Sequence, residues 1–77
     1  MISELTLYTR AGCHLCERVE DLLASHEVAC RLVNVDADLA ARDRYGLRVP
    51  VLTAGGAVLL EGQIEERELL AVLKSLR

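Results

Sequence analysis

Between Thr9 and Leu15 the apolar pattern of the chain changes period. Leu5-Thr6-Leu7-Tyr8-Thr9 is short and β-prone, Arg10-Ala11-Gly12 supply a loop, and from Cys13 onward Leu15, Cys16, Val19, Leu22, Leu23 and His26 recur at helical spacing. A strand from about Glu4 to Thr9 therefore feeds straight into a helix that starts at Cys13, with Glu17, Arg18, Glu20 and Asp21 mostly on its other faces. The next run, Ala29 to Val35, is nearly continuous in apolar and β-branched residues, as expected of a strand covered on both faces in a parallel sheet. Strand, helix and strand make a βαβ unit, whose crossover is right-handed.

The second half supplies what such a unit needs to bury its sheet. Asp36 is placed to cap a short helix through Tyr45, and Gly46 stands where a left-handed C-terminal residue is wanted. Val49 to Ala54 and Ala57 to Leu60 are β-prone runs separated by Gly55-Gly56, a pair suited to the positive φ angles of a tight antiparallel hairpin. From Ile64 to Leu76 a closing helix sets Leu69, Leu70, Leu73 and Leu76 on one face, opposite Glu65, Glu68 and Lys74. The order βαβαββα accounts for residues 1–77 as one α/β domain without repeat or linker.

Several function classes drop out. A chain of 77 residues holds one small core and leaves no room for a second module. A net charge of -3 and only two aromatic residues, Tyr8 and Tyr45, exclude a basic or base-stacking nucleic-acid surface. The longest weakly polar run, Val49 to Leu60, is far shorter than the roughly 20 residues that span a bilayer, so no membrane partner is expected. Met1-Ile2-Ser3-Glu4 shows no basic segment, apolar core or cleavage site, and a cytoplasmic location is the expectation. Three cysteines, two of them close together, suit catalysis or metal binding in a reducing compartment better than a disulfide framework.

Cys13 and Cys16 are three apart and fall on nearly the same side of the helix. Cys13 lies in the first turn, where unsatisfied backbone N–H groups and the positive end of the helix dipole favour a thiolate, the attacking species in disulfide exchange. Cys16 belongs to the apolar stripe and is expected to stay sheltered until it attacks a mixed disulfide on Cys13. Protonated His14, and Arg10 if its side chain turns toward the sulfur, favour the thiolate, whereas Glu17 opposes it. A zinc site of Cys13, Cys16, His26 and Cys30 would need the two ends of one helix, about 20 Å apart, to converge, so no metal is expected. His26 then reads as a helix-terminal residue and Cys30 as a small buried hydrophobe of the second strand. Pro50 opens a β-run, where a missing N–H is tolerated, and its bond would be trans on base rates alone.

Taken together, Leu5-Thr6-Leu7-Tyr8-Thr9, Gly12-Cys13-His14-Leu15-Cys16-Glu17 and Tyr45-Gly46-Leu47-Arg48-Val49-Pro50-Val51-Leu52 resemble the thioredoxin-like superfamily on its glutaredoxin branch, and more narrowly the short bacterial glutaredoxin-like proteins. The resemblance implies a four-stranded mixed sheet with helices on both faces, a cis Val49-Pro50 bond beside the dithiol, and substrate contacts from Tyr8, Val49, Pro50 and Gly62, with Arg10 near the nucleophile. It implies a thiol-disulfide oxidoreductase working through a Cys13 mixed disulfide; the alternative is a non-catalytic protein-binding or iron-sulfur-binding module on the same fold. Its partners would be protein or low-molecular-weight disulfides and a reductase, either thioredoxin reductase or the glutathione system, acting on a monomer with no bound cofactor. Two departures stand out. His14 and Leu15 replace the Pro and Tyr of typical dithiol glutaredoxins, and Glu61-Gly62-Gln63-Ile64-Glu65-Glu66 replaces the Gly-Gly pair and Asp that hold glutathione, so the anionic tripeptide is disfavoured as reductant.

Overall fold

The structure, a computed structural model, describes residues 4–76; Met1, Ile2, Ser3 and Arg77 lie outside them, and with them most of the N-terminal segment discussed above. Its elements are β1 (Leu5–Thr9), α1 (His14–Ser25), β2 (Arg31–Asn34), a 3₁₀ turn (Val35–Ala37), α2 (Leu39–Tyr45), β3 (Val51–Ala54), β4 (Ala57–Glu61) and α3 (Glu66–Ser75). The sheet order is β2-β1-β3-β4. β1 runs parallel to β2 and antiparallel to β3, and β3 pairs antiparallel with β4, which makes the sheet mixed. No helix among the described residues is long and apolar enough to cross a membrane.

Alternation along the two central strands divides the core in two. Leu5 and Leu7 of β1 join Leu52 and Ala54 of β3 on one face, where Val19 and Leu23 of α1 and Ile64 and Leu69 from the α3 region cover them. Tyr8 of β1 and Val51 of β3 turn to the other face, against Val35, Ala41 and Tyr45. So α1 and α3 lie on one side and α2 on the other. Leu7, Val19, Leu52 and Leu69 are fully buried, each contributing about 1.5–3 kcal/mol of apolar transfer free energy.

Four local expectations are corrected. The second strand is not covered on both faces: it is the four-residue edge Arg31–Asn34, with Leu32 exposed, because the parallel pairing places it outside β1. Asp36 does not cap the second helix, since its carboxylate is taken by Arg10; Asp38 caps it instead, accepting the Ala41 N–H at 3.0 Å. Gly46 is right-handed (φ -55°), and its missing side chain matters for another reason: a Cβ there would sit 2.5 Å from the Arg42 carbonyl oxygen. The closing helix begins at Glu66, so that Ile64 enters the core from the preceding loop. The hairpin forms across Gly55-Gly56, both at positive φ, with a bulge where Leu52 faces Leu60 and Thr53 faces Val58.

Candidate redox site

The end of β1 delivers the chain through Arg10-Ala11-Gly12 to Cys13, which stands one residue before α1 as its N-cap in extended conformation. Its Sγ accepts the Cys16 N–H at 3.1 Å, in the place where a serine or threonine oxygen commonly caps a helix. A backbone donor is thus already aimed at the sulfur, at the positive end of the helix, where negative charge is favoured. Cys13 is half-buried and Cys16 is wholly buried; both are free thiols. Burial pushes the Cys16 thiol up, and its hydrogen bond with Cys13 pushes the same way, while the Thr9 hydroxyl and the Arg10 backbone N–H act in the opposite direction.

Thr9 is a contact that sequence reasoning missed. Its hydroxyl donates to Glu20 Oε2 at 2.9 Å, which ties the last residue of β1 to α1. Glu20 was expected on another face of the helix, yet it is half-buried here. The signal was available: Glu20 is four residues after Cys16, so the two share a helical face, and side chains on a helix lean back toward its N-terminus.

Arg10 makes no hydrogen bond to the sulfur, although Cys13 and Cys16 are near enough to act on its charge. Its Nε and Nη2 hold Asp36 at 3.0 and 3.1 Å, and Nη1 donates to the Gly46 carbonyl at 3.0 Å, so the side chain braces the loop before Cys13 against the turns flanking α2. The Asp36 carboxyl is held below its ordinary range by this bond, and Arg10 is raised in return. His14 is exposed on the first turn of α1, in a shallow groove with Glu17, Arg18 and Asp21. Tyr8 is half-buried and packs on Tyr45, ring centroids 4.4 Å apart, while the Arg48 guanidinium lies 5.5 Å from the centre of the Tyr45 ring. Tyr8 therefore serves the core on the α2 side.

The Val49-Pro50 bond is cis. β1 and β3 pair as far as Tyr8 opposite Val51, and the same register carried one step further sets Pro50 opposite Thr9. The Pro50 carbonyl accepts the Gly62 N–H at 2.8 Å. Val49, Pro50 and Gly62 thus gather at the end of the sheet from which the dithiol loop leaves. Beyond them the chain satisfies its own charges: Arg48 pairs with Glu61, Arg18 with Glu65 at 2.9 Å, and the Glu65 N–H donates to Glu68 Oε1 at 3.1 Å. The start of α3 is therefore lined with carboxylates.

The zinc set splits into two pairs, Cys13 with Cys16 at the start of α1 and His26 with Cys30 beyond its end. α1 runs unbroken for 12 residues between Cys13 and His26, and among the described residues no three His, Cys, Asp or Glu gather as a metal site. His26 caps the end of α1 and reaches Glu66 Oε2 at 2.8 Å. Cys30 sits just before β2 and is half-buried, and burial pushes its thiol up. It borders a groove of about 850 Å³ with His26 and Leu73, which contains no residue of the dithiol loop.

Comparison with known proteins agrees with this geometry. An uncharacterized protein of Mycobacterium tuberculosis is 34% identical over 77 aligned positions, covering 88% of this chain and 79% of the relative. Among solved structures, the structural-genomics target XcR50 from X. campestris superposes with a TM-score of 0.81 at 38% identity, covering 95% of this chain and 99% of its own. The thioredoxin-like protein BC3987 gives a TM-score of 0.74 at 27% identity, over 90% of this chain and 99% of its own. Glutaredoxin C1 from a poplar hybrid, Populus tremula x tremuloides, in its holo form, shares the fold alone, with a TM-score of 0.69 at 22% identity over 97% and 87% of the two chains. A thioredoxin-like fold that carries a Cys13-Cys16 pair at a helix start has the makings of redox capacity. The glutaredoxin-like domain family (DUF836) matches residues 4–74, and the chain belongs to that family.

Proposed function

We propose that the protein is a thiol-disulfide oxidoreductase in which Cys13 attacks a substrate disulfide and Cys16 resolves the product. The observation that carries this is the asymmetry of the pair: Cys13 Sγ is capped by the Cys16 N–H at the helix start, while Cys16 is wholly buried behind it. The Cys13 thiolate attacks one sulfur of the substrate disulfide; the substrate S–S bond breaks, a Cys13 mixed disulfide forms, and the leaving sulfur takes a proton. Cys16 then attacks Cys13 Sγ, closing the Cys13-Cys16 disulfide and releasing the second substrate thiol. The Val49-Pro50 loop and Gly62 supply the backbone against which a substrate segment lies, and exposed Leu15 and Leu47 offer it apolar contact. Tyr8 and Arg10 support the loop from behind, and His14 adds a positive charge at the rim when protonated.

The substrates are protein or small disulfides, in a reducing compartment such as the cytoplasm where a reductase returns the dithiol. The carboxylates at the start of α3 favour a thioredoxin-reductase type of donor over anionic glutathione. The test is trapping. Cys16→Ser incubated with a model disulfide is expected to accumulate a mixed disulfide by mass spectrometry, and Cys13→Ser is not. Equal trapping by both overturns the roles; trapping by neither, with no exchange by the unaltered protein, makes the domain a binding module.

A further inference from the structure

On the side of the sheet that carries α2, the helix leaves part of the face open. Tyr8 and Val33 pack there with Ala41 and Tyr45, and the parallel register of β1 and β2 sets Thr6 beside Arg31 and Tyr8 beside Val33. Side chains two apart on a strand share a face, so Thr6 and Arg31 stand on the α2 side as well. α2 is seven residues long and borders this floor with the small side chains of Ala40 and Ala41, and with Arg44 one turn beyond Ala40. Between helix and floor lies a groove of about 450 Å³, a size that takes a small organic ligand. It contains no residue of the dithiol loop or of the Val49-Pro50 turn.

The groove gathers hydrogen-bonding groups that the protein leaves unused. Arg31 and Arg44 both line it, and among the described residues neither guanidinium is paired with a carboxylate, whereas Arg10 and Arg48 at the dithiol end both are. Thr6, Tyr8 and Tyr45 line it too, and among the described residues none of their hydroxyls has a hydrogen-bond partner, although Tyr45 is only 5% exposed. Asp38 is the one carboxylate of the lining, and its Oδ1 accepts the Ala41 N–H at 3.0 Å. Two positive charges thus stand against one negative, in a chain whose net charge is -3. Two guanidiniums on one groove repel each other, and an anion between them relieves that repulsion while accepting charge-assisted hydrogen bonds. Val33, Ala40 and Ala41 add an apolar stretch beside the charges.

We propose that this groove binds a small phosphomonoester, with Arg31 and Arg44 holding the phosphate, the hydroxyls completing its shell, and Val33, Ala40 and Ala41 carrying the organic part. Phosphate suits the site better than a carboxylate because three terminal oxygens meet two guanidinium forks and the hydroxyls at once. Binding involves neither cysteine of the dithiol, so it stands whether or not that pair exchanges disulfides.

Phenyl phosphate, inorganic phosphate and phenol, titrated separately into isotope-labelled protein and followed by NMR, test the site. Phenyl phosphate is expected to give saturable shifts at Thr6, Tyr8, Val33, Ala40 and the Nε–H signals of Arg31 and Arg44, half-complete below about 5 mM. It is expected to bind at least about fivefold more tightly than inorganic phosphate or phenol, since only the ester meets both the charges and the apolar stretch. Arg31→Gln and Arg44→Gln are each expected to weaken it at least about fivefold. Both side chains are exposed, so the variants keep the fold, which unchanged signals from the core residues Leu7 and Leu52 would show. Shifts that fail to saturate below about 20 mM, or saturable shifts confined to other residues, would overturn the site. So would affinities within about twofold of the unaltered protein in both variants. Equal affinity for phenyl phosphate and inorganic phosphate would overturn the monoester as the ligand class.

Discussion

Arg10 grips Asp36 with two nitrogens and the Gly46 carbonyl with a third, and so closes the loop that presents Cys13. Because this bond holds the Asp36 carboxyl low, folding binds fewer protons there than the unfolded chain does. The contribution is complete above the ordinary Asp value of about 3.9 and is lost as pH falls through the lower folded-state value. Asp36→Asn is therefore expected to flatten the loss of stability in urea melts taken below about pH 4, and an unchanged acid slope would refute the assignment. The three thiols differ in access: Cys13 is half-buried at a helix start, Cys30 is half-buried with its thiol raised, and Cys16 is wholly buried. Timed alkylation with iodoacetamide near neutral pH is expected to label Cys13 first, Cys30 later and Cys16 last in peptide maps. The dithiol was legible at this scale because a spacing of three marks one helix side. The Thr9 contact was not, because it depends on how closely β1 approaches α1.

At the scale of elements, α1 ends in a paired turn: the Glu27 N–H bonds Ala24 O at 3.0 Å and the Val28 N–H bonds Leu23 O at 2.9 Å, with Glu27 left-handed at φ 54°. That position favours glycine, since a side chain there costs about 1–2 kcal/mol, partly offset by glycine's freedom when unfolded. Glu27→Gly is expected to raise stability by up to about 1 kcal/mol in urea titration, a loss counting against the geometry. Leu69 is the wholly buried side chain of α3, and Leu69→Ala is expected to cost about 2–5 kcal/mol. The order of elements was legible because apolar period and glycine punctuation changed together at each boundary. Coverage of β2 was not, since an apolar run such as Ala29 to Val35 reads alike at the centre and edge of a sheet. Nor was the cap of α2, because Asp36 and Asp38 are equal as caps until Arg10 takes one of them.

Over the whole molecule the net charge is -3, and four basic side chains around the site end or α1, Arg10, Arg18, His26 and Arg48, each face a carboxylate. Such a surface repels an approaching anion and attracts a cation. Oxidised glutathione is expected to react more slowly than cystamine relative to their reactivity with a simple dithiol, and the gap is expected to narrow as salt rises above about 0.15 M. A ratio equal to that of the simple dithiol would show that the surface charge plays no part. The pairing of β1 also has a meaning in time. Leu5 faces Ala54 and Tyr8 faces Val51, while Val19 and Leu23 of α1 pack with Leu69. On the ribosome both cysteines of the dithiol emerge early, and the residues that complete the core around α1 follow roughly fifty positions later, about 3–10 s at ordinary synthesis rates. During that interval the dithiol of a nascent chain offers both its thiols equally to any oxidant, and the distinction between attacker and resolver arrives only with the last helix.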